Sequence, residues 1–171
     1  MCQGNFIYIT LIFIILYDNI CKKNERWGVF LYTFISNNEN DTLNFAKDFA
    51  KNLKQGDVIV LSGDLGSGKT KFTEGILDFF GLREEISSPT FTIVNEYNAN
   101  DINIFHFDVY RLSGSDEFYN IGGDEYFSKG ICIIEWGEII KDALPSRYTK
   151  ISFERDIDNE NIRKLIIENV E

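Results

Sequence analysis

Gly63-Asp64-Leu65-Gly66-Ser67-Gly68-Lys69-Thr70 decides how the rest of the chain is read, because it satisfies the phosphate-loop pattern G-x-x-x-x-G-K-[ST]. Its flanks give the match its weight. Upstream, Val58-Ile59-Val60-Leu61 is apolar and rich in β-branched residues, as in a strand buried on both faces of a parallel sheet. Downstream, Thr70 to Phe80 places Phe72, Ile76, Leu77 and Phe80 at helical spacing, and Gly81 supplies the stop. Strand, glycine loop and helix therefore stand in the order that a phosphate cradle requires. Gly63, Gly66 and Gly68 let the backbone turn successive N–H groups inward at the positive end of the helix dipole. In that reading residues Gly63, Asp64, Leu65, Gly66, Ser67, Gly68, Lys69 and Thr70 form the nucleotide-binding loop. Lys69 reaches the β- and γ-phosphates, and the Thr70 hydroxyl ligates Mg²⁺. The plain alternative, a glycine-rich turn with an accidental lysine, leaves the flanking pattern unexplained.

Outward toward the N-terminus, Lys54-Gln55-Gly56-Asp57 is the turn into the phosphate-loop strand. From Thr42 to Leu53, the residues Leu43, Phe45, Ala46, Phe49, Ala50 and Leu53 make the apolar stripe of a helix. Ser36 to Thr42 is a polar loop dense in helix caps, and Val29 to Ile35 reads as a first strand. Residues 6 to 17 form an apolar block followed by Asp18, Lys22 and Lys23. The block is shorter than the roughly 20 residues of a membrane span. It also lacks the preceding positive charge and the small-residue cleavage site of a secretory signal. Residues 1–28 are expected to be an extension outside the folded core, either translation from a start codon upstream of the true one or a targeting segment. No stable membrane association is expected.

Outward in the other direction, Ile93 to Tyr97 and Ile104 to Phe107 are strands separated by a polar turn, a hairpin pattern. The second strand delivers Asp108, the position of a Walker-B aspartate that holds Mg²⁺ directly or through water. A turn or capping aspartate is the alternative for that residue alone. Residues 113 to 130 read as short helices crossing back over the sheet, and Gly130 to Trp136 is a second fully apolar strand ending in Glu135. Two buried parallel strands then present carboxylates at the sheet end where ligands bind in open α/β folds. Gly137 to Leu144 is a short helix closed by Pro145. Tyr148 to Glu154 and Ile162 to Ile167 are expected as antiparallel strands at the sheet edge. The fold class is α/β, a P-loop NTPase with a mostly parallel central sheet flanked by helices and antiparallel edge strands.

Composition bounds the function classes. A chain of 171 residues fits one domain. A net charge of −10 argues against free nucleic acid as a direct partner, since a phosphate backbone calls for a basic face. Any RNA connection is expected to run through another protein. Cys2, Cys21 and Cys132 are too scattered for a disulfide framework or a CxxC metal site, which points to a reducing compartment. His106 is the single histidine; between two phenylalanines in an apolar strand it reads as a structural residue rather than a catalytic one. Zinc chemistry and a Ser/His/Asp nucleophile are thereby disfavoured.

Five blocks together resemble the TsaE (YjeE) family, the small P-loop ATPase of tRNA threonylcarbamoyladenosine biosynthesis. They are the loop at 63–70, Ser88-Pro-Thr-Phe91 with Val94-Asn-Glu-Tyr97, and His106-Phe-Asp-Val-Tyr-Arg-Leu112. The other two are Glu117-x-x-x-x-Gly122-x-x-Glu125-Tyr-Phe127 and Gly130-Ile-Cys-Ile-Ile-Glu-Trp136. The resemblance begins near residue 33 and implies a P-loop ATPase domain over 29–171. It implies that Lys69 and the loop amides bind ATP, that Thr70 and Glu135 hold Mg²⁺, and that Asp108 completes the metal shell or orients water. Lys69, Asp108 and Glu135 are then the catalytic set. Ser88-Pro89-Thr90 resembles a switch whose hydroxyls, Thr90 included, sense the γ-phosphate. The loop at Asn37 to Thr42 would lie near the adenine edge, with Thr42 as a candidate contact. No arginine finger is evident; Arg111 is the nearest candidate in sequence. The implied partners are the TsaD and TsaB type proteins of the threonylcarbamoyl-transfer complex, reset by ATP hydrolysis in the cytoplasm, with tRNA engaged only indirectly. A small-molecule kinase lacks an arginine-rich lid here, and a GTPase lacks an Asn-Lys-x-Asp signature. A nucleotide-gated scaffold that does not hydrolyse remains the other class.

Overall fold

The computed structural model describes residues 31–83, 87–89, 91–159 and 161–171; the 1–28 extension with its apolar block, and Thr90, lie outside the described residues. Strand β2 (Val58–Ser62) is central, and its alternate side chains enter two different cores. Ile59 and Leu61 face a layer made by helices α1 (Glu39–Ala50) and α2 (Lys69–Phe79), while Val58 and Val60 face the opposite layer. That opposite layer holds the short helix α3 (Ser115–Asn120) and the 3₁₀ turns at Gly123–Ser128 and Gly137–Ala143. Burial on both sides is why Val58 to Leu61 of β2 is continuously apolar rather than alternating.

Among the described residues the sheet has seven strands in the order β1-β7-β6-β2-β5-β4-β3. Strands β5 (Ile131–Glu135) and β6 (Tyr148–Arg155) flank β2 and run parallel to it, and β4 (Ile102–Asp108) runs parallel to β5. Strand β3 (Val94–Ala99) closes one edge as an antiparallel hairpin with β4. The two strands extend into the expected polar turn as far as the Ala99–Ile102 pair, and the turn uses Asn100 in the left-handed region, φ 55°. At the other side β7 (Arg163–Val170) pairs antiparallel with β6, and β1 (Leu31–Ser36) pairs antiparallel with β7. Strands β1, β6, β2, β5 and β4 thus point one way and β7 and β3 the other, so the expected mixture of parallel centre and antiparallel edges is present.

One expectation is corrected. The last two strands are antiparallel to each other but do not form the sheet edge. Ile151 and Phe153 of β6 and Leu165 and Ile167 of β7 are buried in the core beneath α1 and α2, which draws this pair inward beside β2 and leaves β1 at the edge.

Helix α1 begins at Glu39 rather than Thr42, because Asn38 caps it by accepting a hydrogen bond from the Asp41 N–H at 3.0 Å. The two long helices meet through Phe45, Phe49 and Phe72, whose rings pack at 5.7 to 6.1 Å. Gly75 of α2 permits the approach: a Cβ there would lie 2.5 Å from the Leu43 carbonyl oxygen and 2.6 Å from Ala46 Cβ. Glycine in a helix interior sacrifices about 1 kcal/mol relative to alanine, but overpacking costs roughly 1–3 kcal/mol. The obstructing atom is backbone, so the steric term wins. Gly75→Ala is expected to lower the stability by about 1–2 kcal/mol, read as a lower urea midpoint with an unchanged slope; a midpoint at or above the parent value would contradict the close helix contact.

Candidate functional site

The loop at 63–68 leaves β2 at its carboxyl end and delivers Gly68 as the N-cap of α2, with φ +112°. The two long helices differ at their starts. Helix α1 carries the Asn38 cap and the acidic Glu39 and Asp41 in its first turn, whereas α2 has no side-chain cap and no acidic residue there. The first N–H groups of α2, at the positive end of its dipole, are left for an anion. Ser67 Oγ is buried within the same loop with no hydrogen-bond partner among the described residues, a second polar group suited to a phosphate oxygen.

Lys69 folds back over the loop. Its Nζ donates to the carbonyl oxygens of Gly63 at 2.7 Å and Asp64 at 3.0 Å and lies 4.0 Å above the centre of the Trp136 ring. Burial pushes its pKa below 10.5, and the surrounding carboxylates of Glu135, Glu138, Asp108 and Asp64 act in the opposite direction. Trp136 reaches this position from a left-handed backbone, φ 65°, directly after β5.

The two predicted acids come together as the parallel sheet requires. Asp108 ends β4, Glu135 ends β5, and they are register partners. Both are buried. Glu135 Oε1 accepts the Thr70 hydroxyl at 3.2 Å, and Asp108 Oδ1 accepts the Tyr110 N–H at 3.2 Å. Lys69, Thr70, Asp108 and Glu135 line one cavity of about 280 Å³ with Gly66, Gly68, Leu65 and Ser88. A larger groove of about 640 Å³ lies at the other end of β2, walled by Phe45, Phe49 and Tyr148, and holds none of these groups. Size alone would select that groove; the chemistry selects the smaller cavity.

Other predicted residues stand elsewhere. Thr42 is buried in the first turn of α1 and shares a hydrogen bond with Ser36 Oγ at 2.7 Å; from that segment it is Glu39 that lines the cavity. Arg111 stacks on Phe91, its Cζ 4.6 Å from the ring centre, and does not line the cavity. Ser88 lines the cavity, while Thr90 is outside the described residues.

Three neighbours escaped sequence reasoning. Arg155, at the end of β6, donates from Nη2 to the Leu65 carbonyl at 3.0 Å, so a guanidinium does sit on the loop, from a strand ninety residues away. Glu138 accepts the Ser62 hydroxyl at 2.9 Å beside β2. His106 lies 3.0 Å by Nε2 from Glu135 Oε1. A signal for His106 existed: it precedes Asp108 by two residues and so shares its face of β4. Arg155 and Glu138 have no local signal at all.

Among the described residues no group of three His, Cys, Asp or Glu side chains is placed to hold a metal by itself. Mg²⁺ ordinarily binds through one or two carboxylates plus phosphates and water. Thr70, Asp108 and Glu135 beside the uncapped start of α2 are a donor set that fits such an ion.

A sequence profile described as threonylcarbamoyl adenosine biosynthesis protein TsaE matches residues 36–165. The chain is 43% identical to the tRNA threonylcarbamoyladenosine biosynthesis protein TsaE of Bacillus subtilis over 124 residues, covering 72% of this chain and 77% of that protein. It is 45% identical to the TsaE protein of Rickettsia typhi over 109 residues, 63% and 76% of the two chains. The crystal structure of YdiB from Bacillus subtilis superposes with a TM-score of 0.69 at 35% identity, covering 84% of this chain and 88% of YdiB. With the profile spanning most of the sheet and the whole loop-and-carboxylate site, the chain belongs to the TsaE family of threonylcarbamoyl adenosine biosynthesis proteins.

Proposed function

We propose that this protein is a Mg²⁺-dependent ATPase with the P-loop NTPase fold that supports threonylcarbamoyl transfer to tRNA, slow alone and completed by TsaD- and TsaB-type partners that its hydrolysis resets. The observation that carries this is the convergence, in one cavity, of Lys69, Thr70 and the register-paired Asp108 and Glu135 at an uncapped helix start. Phosphoryl transfer needs mainly positioning and charge compensation. Lys69 exchanges the Gly63 and Asp64 carbonyls for the β- and γ-phosphates, a swap that keeps its hydrogen bonds while trading neutral acceptors for charged ones. Thr70, Glu135 and Asp108 hold Mg²⁺, which supplies charge neutralisation at the phosphate oxygens. Asp108, whose Oδ1 is steadied by the Tyr110 N–H, also serves to orient the attacking water. Ser88 and Thr90 report the γ-phosphate.

Two features support dependence on partners. Arg111, the nearest finger candidate in sequence, stacks on the Phe91 ring and does not line the cavity, which suits a finger supplied by a partner. Leu65, which lines the cavity, is more than four-fifths exposed, and Tyr110, more than half exposed, packs against Trp136 of the same lining, an apolar fringe suited to a protein surface. Among the described residues no helix is long and apolar enough to cross a membrane, and the proposed setting is the cytoplasm.

ATP turnover measured with and without the partner pair tests the proposal, and phosphorylation of a metabolite by the isolated protein would overturn it. Glu135→Ala is expected to reduce turnover by at least about a hundredfold while leaving nucleotide binding within about threefold; turnover at the parent rate would remove Glu135 from the site. Arg155→Ala, which releases the Leu65 carbonyl, is expected to weaken ATP binding by about three- to tenfold, the worth of one charge-assisted hydrogen bond. Isothermal titration with a non-hydrolysable analogue measures it, and unchanged affinity would show that Arg155 does not organise the loop.

A further inference from the structure

His106 is fully buried in β4, and its polar contacts are lopsided. Nε2 lies 3.0 Å from Glu135 Oε1, while Nδ1 is buried with no hydrogen-bond partner among the described residues. A histidine kept only for packing would have both nitrogens satisfied or would be replaceable by leucine without the cost of burying an imidazole. Here the whole polar reach of the ring is spent on one carboxylate. The proton belongs on Nε2, because an unprotonated Nε2 would set two acceptors against each other at 3.0 Å, and a proton on Nδ1 would have no acceptor.

Glu135 Oε1 therefore receives two donors, the His106 imidazole and, at 3.2 Å, the Thr70 hydroxyl. Two donors from different elements, β4 and α2, pin the carboxylate in one rotamer and leave Oε2 for a cation. We propose that His106 is a positioning residue that holds Glu135 in the orientation that receives Mg²⁺. The proposal rests on the Mg²⁺-nucleotide assignment of the site above, and its test separates the two.

His106 is the one histidine of the chain, so histidine-selective ¹⁵N labelling gives a single imidazole spectrum without any substitution. With a non-hydrolysable ATP analogue bound, the expected signature is a ring protonated at Nε2 and bare at Nδ1. Its Nε2 resonance should shift in saturable fashion as Mg²⁺ is added. An Nδ1–H ring, or a signal indifferent to saturating Mg²⁺, overturns the proposal. Electron paramagnetic resonance of Mn²⁺ then compares His106→Leu, which removes the donor, with His106→Gln, which can present an amide N–H. His106→Leu is expected to require at least about tenfold more Mn²⁺ for half-occupancy, and His106→Gln to stay within about threefold of the parent, both binding the metal-free analogue as the parent does. Parent-like Mn²⁺ affinity in His106→Leu, or an equal loss in both variants, overturns it. If the leucine variant does not fold, the spectrum of the unaltered protein decides. Failure of the unaltered protein to take up Mn²⁺ with the analogue instead overturns the Mg²⁺-nucleotide assignment, a result distinct from loss of the His106 effect.

Discussion

Parallel pairing between β4 and β5, with Asp108 opposite Glu135, is the constraint on which the site depends. A slip of one residue in either strand would turn its acid to the opposite face, away from α2. The register is held past the strand ends, where Val109 N–H donates to the Glu135 carbonyl at 3.2 Å and Trp136 N–H to the Leu61 carbonyl at 3.1 Å. The second of these bonds ties β5 to β2, so the carboxylates and the phosphate loop are set relative to each other by backbone rather than by side-chain flexibility.

The electrostatics follow from that placement. Lys69 is the cation among Asp64, Asp108, Glu135 and Glu138, in a chain whose net charge is −10. A bare triphosphate entering such surroundings meets repulsion from these carboxylates, which Lys69, the cavity-lining Lys71, Arg155 on the loop and the helix dipole oppose. A divalent cation at the carboxylates reverses the balance, which is the physical reason that nucleotide and metal are proposed to bind together. The same logic explains the posture of Lys69: two loop carbonyls and the Trp136 ring stabilise its charge among these carboxylates.

The periphery of the site is exposed where its centre is buried. The carboxylates sit on buried strand ends, but Leu65, which lines the same cavity, is exposed, and Ser88 enters the cavity from the segment between α2 and β3. The proposed switch segment beside the proposed Mg²⁺ site suits the proposed role, in which the nucleotide state is read by another protein. Arg155 adds a structural brace from β6, on the side of the loop opposite the carboxylate strands.

Local patterns in the chain determined the loop, the strand before it, the helix after it, the β3–β4 hairpin and the acid at each strand end. These are short-range signals: residue spacing, glycine placement and apolar runs act over a few residues and do not need the rest of the fold. Tertiary structure alone decided the order of the strands, because β6 and β7 are drawn inward by the burial of Ile151, Phe153, Leu165 and Ile167, a demand that no local period expresses. It also decided which arginine meets the loop, choosing Arg155 over the nearer Arg111, and it brought His106, an apparent packing residue, to 3.0 Å from Glu135. Contacts of that kind join residues from separate strands, and they exist only once pairing and two-sided burial have fixed which strands are neighbours.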